Sequence, residues 1–459
     1  MNGDSLIERL LDALSISGIG MRFASAIVLS LGIILICGFL MTRLTKLLKL
    51  PNVTAYIVIG ILIGPFVINL IPKDFIDYTD FISDIALAFI AFSAGEFFKI
   101  DVIKKSIGKS VIITLLETVI TFALIFLICF LALGLEAPFA LVLAALASAT
   151  APTSTIMTIK QTKSNGQYVN TLLEVLAIDS VVSLLLYTIS ISIFVGATNG
   201  GSLTFADVGL PLLKMLLCLV IGVIFGFALR FLISSKRTTD NRLIIVVAVL
   251  LLFCGICALF GQSPLLGGMA IGTVYTNMSK KEEKIFAQVN YFIPPIMLIF
   301  FVRGGMSLNF SVFGQPSSLT VVPFIVIVII FLLVRFVGKY GGSYLGSVMT
   351  RQPKETRNYL GLGLIPQASV AIALATMAAR TLRSYGDIYE DYAAALLAII
   401  LASSIIFEIV GPALAKLGLY LSHSYTTSEN NEEIKTVNDG KTDEDEEAYT
   451  EAAEEYKES

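Results

Sequence analysis

The stretch NTLLEVLAIDSVVSLLLYTISISIF, residues 170–194, holds Asp179 deep inside an apolar run long enough to cross a bilayer. A carboxylate at membrane depth costs several kcal/mol unless something uses or neutralises it, so Asp179 marks a functional site by default. Runs of this kind recur along the whole chain of 459 residues, which is 56% hydrophobic and only 15% charged, with a mean hydropathy of +0.84. A soluble protein would carry about a quarter charged residues. The chain therefore reads as an all-α membrane protein. The five cysteines all fall within apolar runs and read as small packing residues, the CxxC of Cys254 and Cys257 included. Neither a Walker A loop, nor a dinucleotide fingerprint, nor an appended soluble enzyme domain is present, so no enzyme is expected.

Thirteen transmembrane helices are expected, over residues 21–45, 52–71, 79–98, 108–134, 138–160, 167–195, 207–233, 241–260, 263–278, 286–309, 318–346, 357–379 and 389–420. The loops between them alternate in charge. Strongly basic loops, such as those holding Arg43, Lys46 and Lys49, or Lys99, Lys104, Lys105 and Lys109, or Arg351, Lys354 and Arg357, all fall on one side; the other side holds only Lys73, Arg380 and Arg383. The positive-inside rule then puts the N-terminus outside and the C-terminus in the cytoplasm. Residues 1–20 carry Asp4, Glu8, Arg9 and Asp12 and read as an amphipathic lead-in rather than a cleavable signal. Residues 423–459 are rich in Glu, Asp, Asn, Ser and Thr and read as a disordered acidic tail. Residues 21–422 form the membrane domain.

Spans 1–6 and 8–13 repeat in order, with span 7 between them. Gly60-Ile-Leu-Ile-Gly64 in span 2 matches Gly268-Met-Ala-Ile-Gly272 in span 9, two spacings that let helices approach closely. The end of span 3 around Gly95 matches the end of span 10 around Gly305, and SATAPTS around Pro152 matches LIPQAS around Pro366. The matched spans run in opposite directions. Inverted-topology repeats, each with a proline-broken helix, point to a secondary transporter with its site near the midplane. A proline removes one backbone donor and frees carbonyls that must find partners in lipid. Thr150, Thr153 and Ser154 flank Pro152, and Gln367 and Ser369 flank Pro366, so these unwound segments are expected to line the site.

Asp179 lies about 18 Å from the cytoplasmic end of its span at 1.5 Å per residue. Arg335 and Lys339, one turn apart on span 11, can each compensate its charge. Glu174 is a candidate structural ion pair, with Arg335 as one partner. Glu117 and Glu408, also in apolar sequence, read as structural partners for basic or hydroxyl groups, and Arg303 as a ligand for helix-end carbonyls. Burial disfavours the charged form of a carboxylate and a nearby cation favours it. Where the two balance, Asp179 can hold a proton or a metal cation, but not both, with Ser180 and Thr153 completing an oxygen shell.

The segments LKLPNVTAYIVIGILIGP (48–65), LASATAPTSTIMTIKQ (146–161), FFVRGGMSLNF (300–310), VRFVGKYGGSYLG (334–346) and YLGLGLIPQASVAIALATM (359–377) resemble those of the monovalent cation:proton antiporter superfamily, bacterial sodium/hydrogen exchanger type. The resemblance covers spans 2–12. It implies a homodimer in the cytoplasmic membrane, with spans 1–3 and 8–10 as a dimerisation part and spans 4–6 and 11–13 as a mobile core. It also implies elevator-type exchange of Na⁺ or K⁺ for H⁺, with no cofactor, transition metal or nucleic acid. The family's sixth helix carries Asp-Asp or Asn-Asp, the second residue being the ion carrier; here the chain reads Ala177-Ile178-Asp179-Ser180. If the spacing to Tyr187 sets the register, Asp179 takes the first position and Ser180 replaces the carrier. If Glu174 sets it, Asp179 is the carrier and Ile178 replaces the first residue. Lys339 resembles the lysine that pairs with the first aspartate. With one aspartate in the pair, electroneutral exchange is expected. Two other readings keep the apolar architecture: a transporter of an organic anion held by Arg335 and the half-helix ends, and a non-transporting sensor that works through the acidic tail.

Overall fold

The computed structural model describes residues 5–7, 19–47, 52–96, 98, 100, 107–198, 205–233, 237–279, 282–308, 322–386 and 389–424. These are all-helical. The first group comprises α1 (Ile19–Leu47), α2 (Asn52–Ile63), the short α3 (Lys73–Tyr78) and α4 (Phe81–Gly95). Next come α5 (Ile107–Leu127, continued by a π turn at Ile128–Ala132), α6 (Ala137–Ser148), α7 (Pro152–Thr162) and α8 (Gln167–Thr198). Then follow α9 (Phe205–Leu232), α10 (Thr239–Leu259), α11 (Leu265–Met278) and α12 (Glu282–Met306). The last group is α13 (Phe324–Met349), α14 (Lys354–Tyr359, continued by a 3-10 turn at Leu360–Leu364), α15 (Ser369–Ser384) and α16 (Glu390–Leu421).

Among the described residues, eight helices are long and apolar enough to cross a membrane, or nine if α14 with its 3-10 turn and α15, bent by 46°, make one span. Large apolar side chains cover their outward faces, Phe231 at 80% and Leu259 at 87% exposure among them. In water such a surface would aggregate; in lipid it needs no partner, so the chain is a multi-pass membrane protein.

Both proline segments break their helices. The first break precedes its proline: α6 stops at Ser148, Ala149 is extended, and Pro152 opens α7. Proline suits a first helical position because its missing N–H would have no partner there. In the second, Pro366 lies between the 3-10 turn and the start of α15 at Ser369.

Glycines set the close crossings at matched positions. A Cβ at Gly60 would meet Val302 O of α12 and one at Gly305 would meet Ile57 O of α2, while one at Gly272 would meet Phe92 O of α4, each at 2.2 Å or less. So α2 packs closely on α12, and α11 on α4.

Of the N-terminal lead-in, Leu6 N–H donates to Asn69 O at 3.1 Å. Asp4, Glu8, Arg9 and Asp12 lie outside the described residues, as do residues 425–459 of the tail.

Candidate functional site

The centre of the molecule is set by a glycine stripe. Gly338, Gly342 and Gly346 recur every four residues on α13, and added Cβ atoms would lie 2.6–2.8 Å from the Cα atoms of Thr121, Glu117 and Ile113 on α5. Only glycine permits this contact between two helix backbones. It brings Lys339, next to Gly338, within reach of Glu117. From the other side α8 presents Asp179. Lys339 Nζ forms a salt bridge with Glu117 and lies 3.2 Å from Asp179 Oδ1, and all three side chains are 0% exposed.

Hydroxyls complete the cluster. Thr118 Oγ1 lies 2.9 Å from Glu117 Oε2 and 3.0 Å from Asp179 Oδ1, and Ser183 Oγ donates to the same Asp179 oxygen at 3.3 Å. A threonine hydroxyl has one proton, so it serves one carboxylate at a time. Among the described residues, buried Asp179 Oδ2 has no hydrogen-bond partner. With both carboxylates ionised, one ammonium lies between two negative charges, and the other buried cation nearby, Arg335, hydrogen-bonds to carbonyls rather than to either carboxylate.

The two helix breaks lie directly against each other. Ala151 N–H donates to Pro366 O at 2.9 Å across them. Arg335, one turn from Lys339, ties both: Nε donates to Ala147 O at 2.9 Å, Nη2 to Ala149 O at 3.0 Å and Nη1 to Ile365 O at 2.8 Å. Its guanidinium also lies 4.5 Å over the Phe407 ring. Gln367 Nε2 donates to Leu146 O at 3.0 Å, and its Oε1 accepts from Ser403 at 3.3 Å. Thr150 Oγ1 reaches Leu364 O at 3.5 Å and Thr155 Oγ1 reaches Gly363 O at 2.8 Å. The orphan carbonyls that two breaks create are thus met mainly by one arginine and one glutamine.

Several expected roles come out differently. Lys339 pairs with Asp179; Arg335 does not, because its three nitrogens are taken by carbonyls. Ser180 turns its hydroxyl back to Leu176 O of its own helix at 3.2 Å, a usual habit of serine within helices. Ser183, one turn on, faces Asp179 in its place. Glu174 accepts from Ser110 at 2.5 Å rather than pairing with Arg335. Ser154, expected at the freed carbonyls, donates to Glu408 instead. The side chain of Thr153 lies outside the described residues. Glu117 is the residue that sequence reasoning undervalued. Its signal was a glutamate within an apolar span, but its partner depends on how α5 sits against α13.

A cavity of about 200 Å³ opens beside α8, lined by Tyr187, Thr188, Ser192, Gln262, Ser263 and Thr381 among others. Its lining on that helix begins at Leu184, five residues beyond Asp179.

A second charged cluster sits where α4, α12 and α15 meet. Arg303 binds Asp80, Ile76 O at 2.5 Å and Ser83 Oγ at 3.0 Å, so the expected helix-end carbonyl is joined by a carboxylate. Arg380 pairs with Asp80 at 3.0 Å and with Asp84 at 3.4 Å.

A family model described as sodium/hydrogen exchanger, transmembrane, matches residues 23–416, most of the chain. The chain belongs to that family. Membership supports cation:proton antiport and makes the protein a transporter, not an enzyme. Among relatives of this exchanger, the ammonium/proton antiporter subunit AmhT of Alkalihalophilus pseudofirmus is 22% identical over 78% of this chain and 88% of its own length. The probable sodium/proton antiporter GerT of Bacillus cereus is 23% identical over 75% and 88%. Among solved structures, the sodium proton antiporter MjNhaP1 of Methanocaldococcus jannaschii superposes with a TM-score of 0.66 at 18% identity, covering 86% of this chain and 98% of that one. A second structure of it gives 0.67 at 20% identity over 90% and 100%. At these identities the likeness is one of fold.

Proposed function

We propose that the protein exchanges one monovalent cation, Na⁺ or K⁺, for one proton at the Glu117–Lys339–Asp179 cluster. The single observation that carries this is one buried ammonium between two buried carboxylates, with an Asp179 oxygen left without a donor among the described residues. A proton or a monovalent cation each restores neutrality, and neither fits while the other is bound. Competition for one charge couples the fluxes one for one, so exchange is electroneutral. Both central cations are committed, Lys339 to carboxylates and Arg335 to carbonyls, which favours a cationic cargo over an organic anion. AmhT and GerT carry ammonium and sodium in their names, so ammonium belongs in the test beside Na⁺ and K⁺.

The reading of thirteen spans with an external N-terminus is supported by the alternation of basic loops. A core of α5–α8 and α13–α16, sliding as an elevator against a dimerising scaffold, is supported by the two breaks and their shared arginine. The cavity beside α8 suits an opening toward the side of the α10–α11 loop, outside in this orientation.

The test is Asp179→Asn in proteoliposomes with an internal pH dye, pulsed with each cation. Cation-dependent proton movement should fall to background. Movement at the parent rate would falsify the assignment.

A further inference from the structure

Two buried carboxyls, Glu174 and Glu408, take no part in this scheme. Glu408 is 4% exposed near the middle of α16. Both of its oxygens face a single hydroxyl, Ser154 Oγ, at 2.8 and 3.0 Å. An ionised carboxylate offers about four acceptor sites, and one hydroxyl proton does not replace the water that this group gives up. The central cluster solves the same problem with Lys339. At Glu408 no cation lies within pairing distance among the described residues.

The charged groups on the elements around α16 are otherwise engaged or distant. On α13, Arg335 is spent on carbonyls and Lys339 on Glu117 and Asp179; Tyr340 donates to Asn358 O at 2.9 Å, and Tyr344 is exposed under Arg357. On α14, Lys354 and Glu355 are exposed, and Arg357 and Tyr359 partly so. On α15, Arg380 and Arg383 pair with Asp80, Asp84 and Glu390. α2 contributes only Tyr56 and α6 nothing titratable. On α7 the one charged residue is Lys160, whose side chain lies outside the described residues. On α16 itself, Glu390 and Asp391 stand at its start, and Lys416 is exposed two turns beyond Glu408.

The position matters as much as the isolation. Ser154 belongs to the first turn of α7, directly after the first break. Phe407, the neighbour of Glu408, lies under the Arg335 guanidinium. Gly411, one turn on, is in contact with Pro366 of the second break. A change of charge at residue 408 is therefore felt where both breaks meet. Charged, the carboxylate draws the Ser154 hydroxyl and the positive end of α7 toward α16. Protonated, it becomes a donor and releases that pull.

We propose that Glu408, held by Ser154, is a second proton-binding site, distinct from the exchange cluster, which sets the pH range of transport by fixing or freeing α7. The inference rests on the antiport reading above and deepens it.

The test compares the parent, Glu408→Gln and Ser154→Ala in proteoliposomes across pH at saturating cation. Glutamine keeps the size and the Ser154 contact, and a monodisperse elution profile checks that it folds. The expected result is that Glu408→Gln still exchanges but loses one pH-dependent limb, about tenfold per pH unit for a single proton. Ser154→Ala should displace that limb along the pH axis. A second readout does not depend on transport: pH-difference infrared spectra of the purified protein should show a protonated-carboxyl band that Glu408→Gln removes. An unchanged pH profile, or an unchanged infrared band, overturns the proposal. A parent without cation-dependent proton flux would instead sink the antiport reading, while the infrared band still decides whether Glu408 takes a proton.

Discussion

At the centre, one lysine faces two carboxylates and all three side chains are 0% exposed. At the junction of α4, α12 and α15, two arginines face two aspartates, and Arg380 and Asp80 keep 42% and 31% of their side-chain surface. The junction cluster is balanced, and its Arg380–Asp80 side is open to water while Arg303 is buried. Its charges cancel, water screens what is left, and nothing more needs to bind. The central cluster is dry, and its lysine alone bridges two carboxylates. On the proposed reading, a proton or a cation shares that task. The same residue types thus make a brace in one place and a site in the other, and the difference lies in charge count and access to water.

The contrast is broken most severely by Lys339→Met, which keeps side-chain bulk and removes the cation that bridges the two carboxylates. Stability should fall by about 3–5 kcal/mol, the usual effect of stripping one partner from a buried pair. Thermal unfolding in detergent would read this, with Glu117→Gln in the same protein recovering part of the loss. If Lys339→Met melts like the parent, the cluster is not the dry, charged site described.

Gly342→Ala probes geometry rather than charge. Its new methyl would sit 2.6 Å from Glu117 Cα, so α5 must move off α13. Overpacking of this kind costs about 1–3 kcal/mol, and cation-dependent proton flux should drop with it because Glu117 no longer reaches Lys339. The same change at Gly341, which has nothing within 4 Å, is the control.

The smallest effect is expected at the junction. Arg380→Ala removes two half-exposed ion pairs and should cost less than about 1 kcal/mol, with the difference shrinking as salt is raised. A loss as large as that of Lys339→Met would mean that the two clusters are not different in kind.

Much of this was legible in the residues. Apolar runs foretold an all-helical membrane protein, since span length acts locally. Asp179 was recognisable as a charge in need of a partner because charges at membrane depth are few, with Lys339 and Arg335 both open as that partner. Arg335 was visible as a central residue but not as a carbonyl ligand. That role depends on the breaks facing each other, as the Ala151–Pro366 bond shows them to do. Ser180 looked like a site residue by adjacency to Asp179, yet successive residues on a helix point about 100° apart, and Ser183 shares the face instead.

The amino-acid sequence alone determined a multi-pass helical membrane protein, its two broken segments and a costly aspartate in its interior. Those follow from short-range rules of hydropathy, backbone donors and charge burial. Tertiary packing decided that Glu117 joins Asp179 at Lys339, that Arg335 ties the two breaks, and that Glu408 accepts from Ser154. Each depends on the rotation and depth of one helix against another. A glycine stripe permits such a contact, but the identity of the residue opposite it is fixed only when the helices dock.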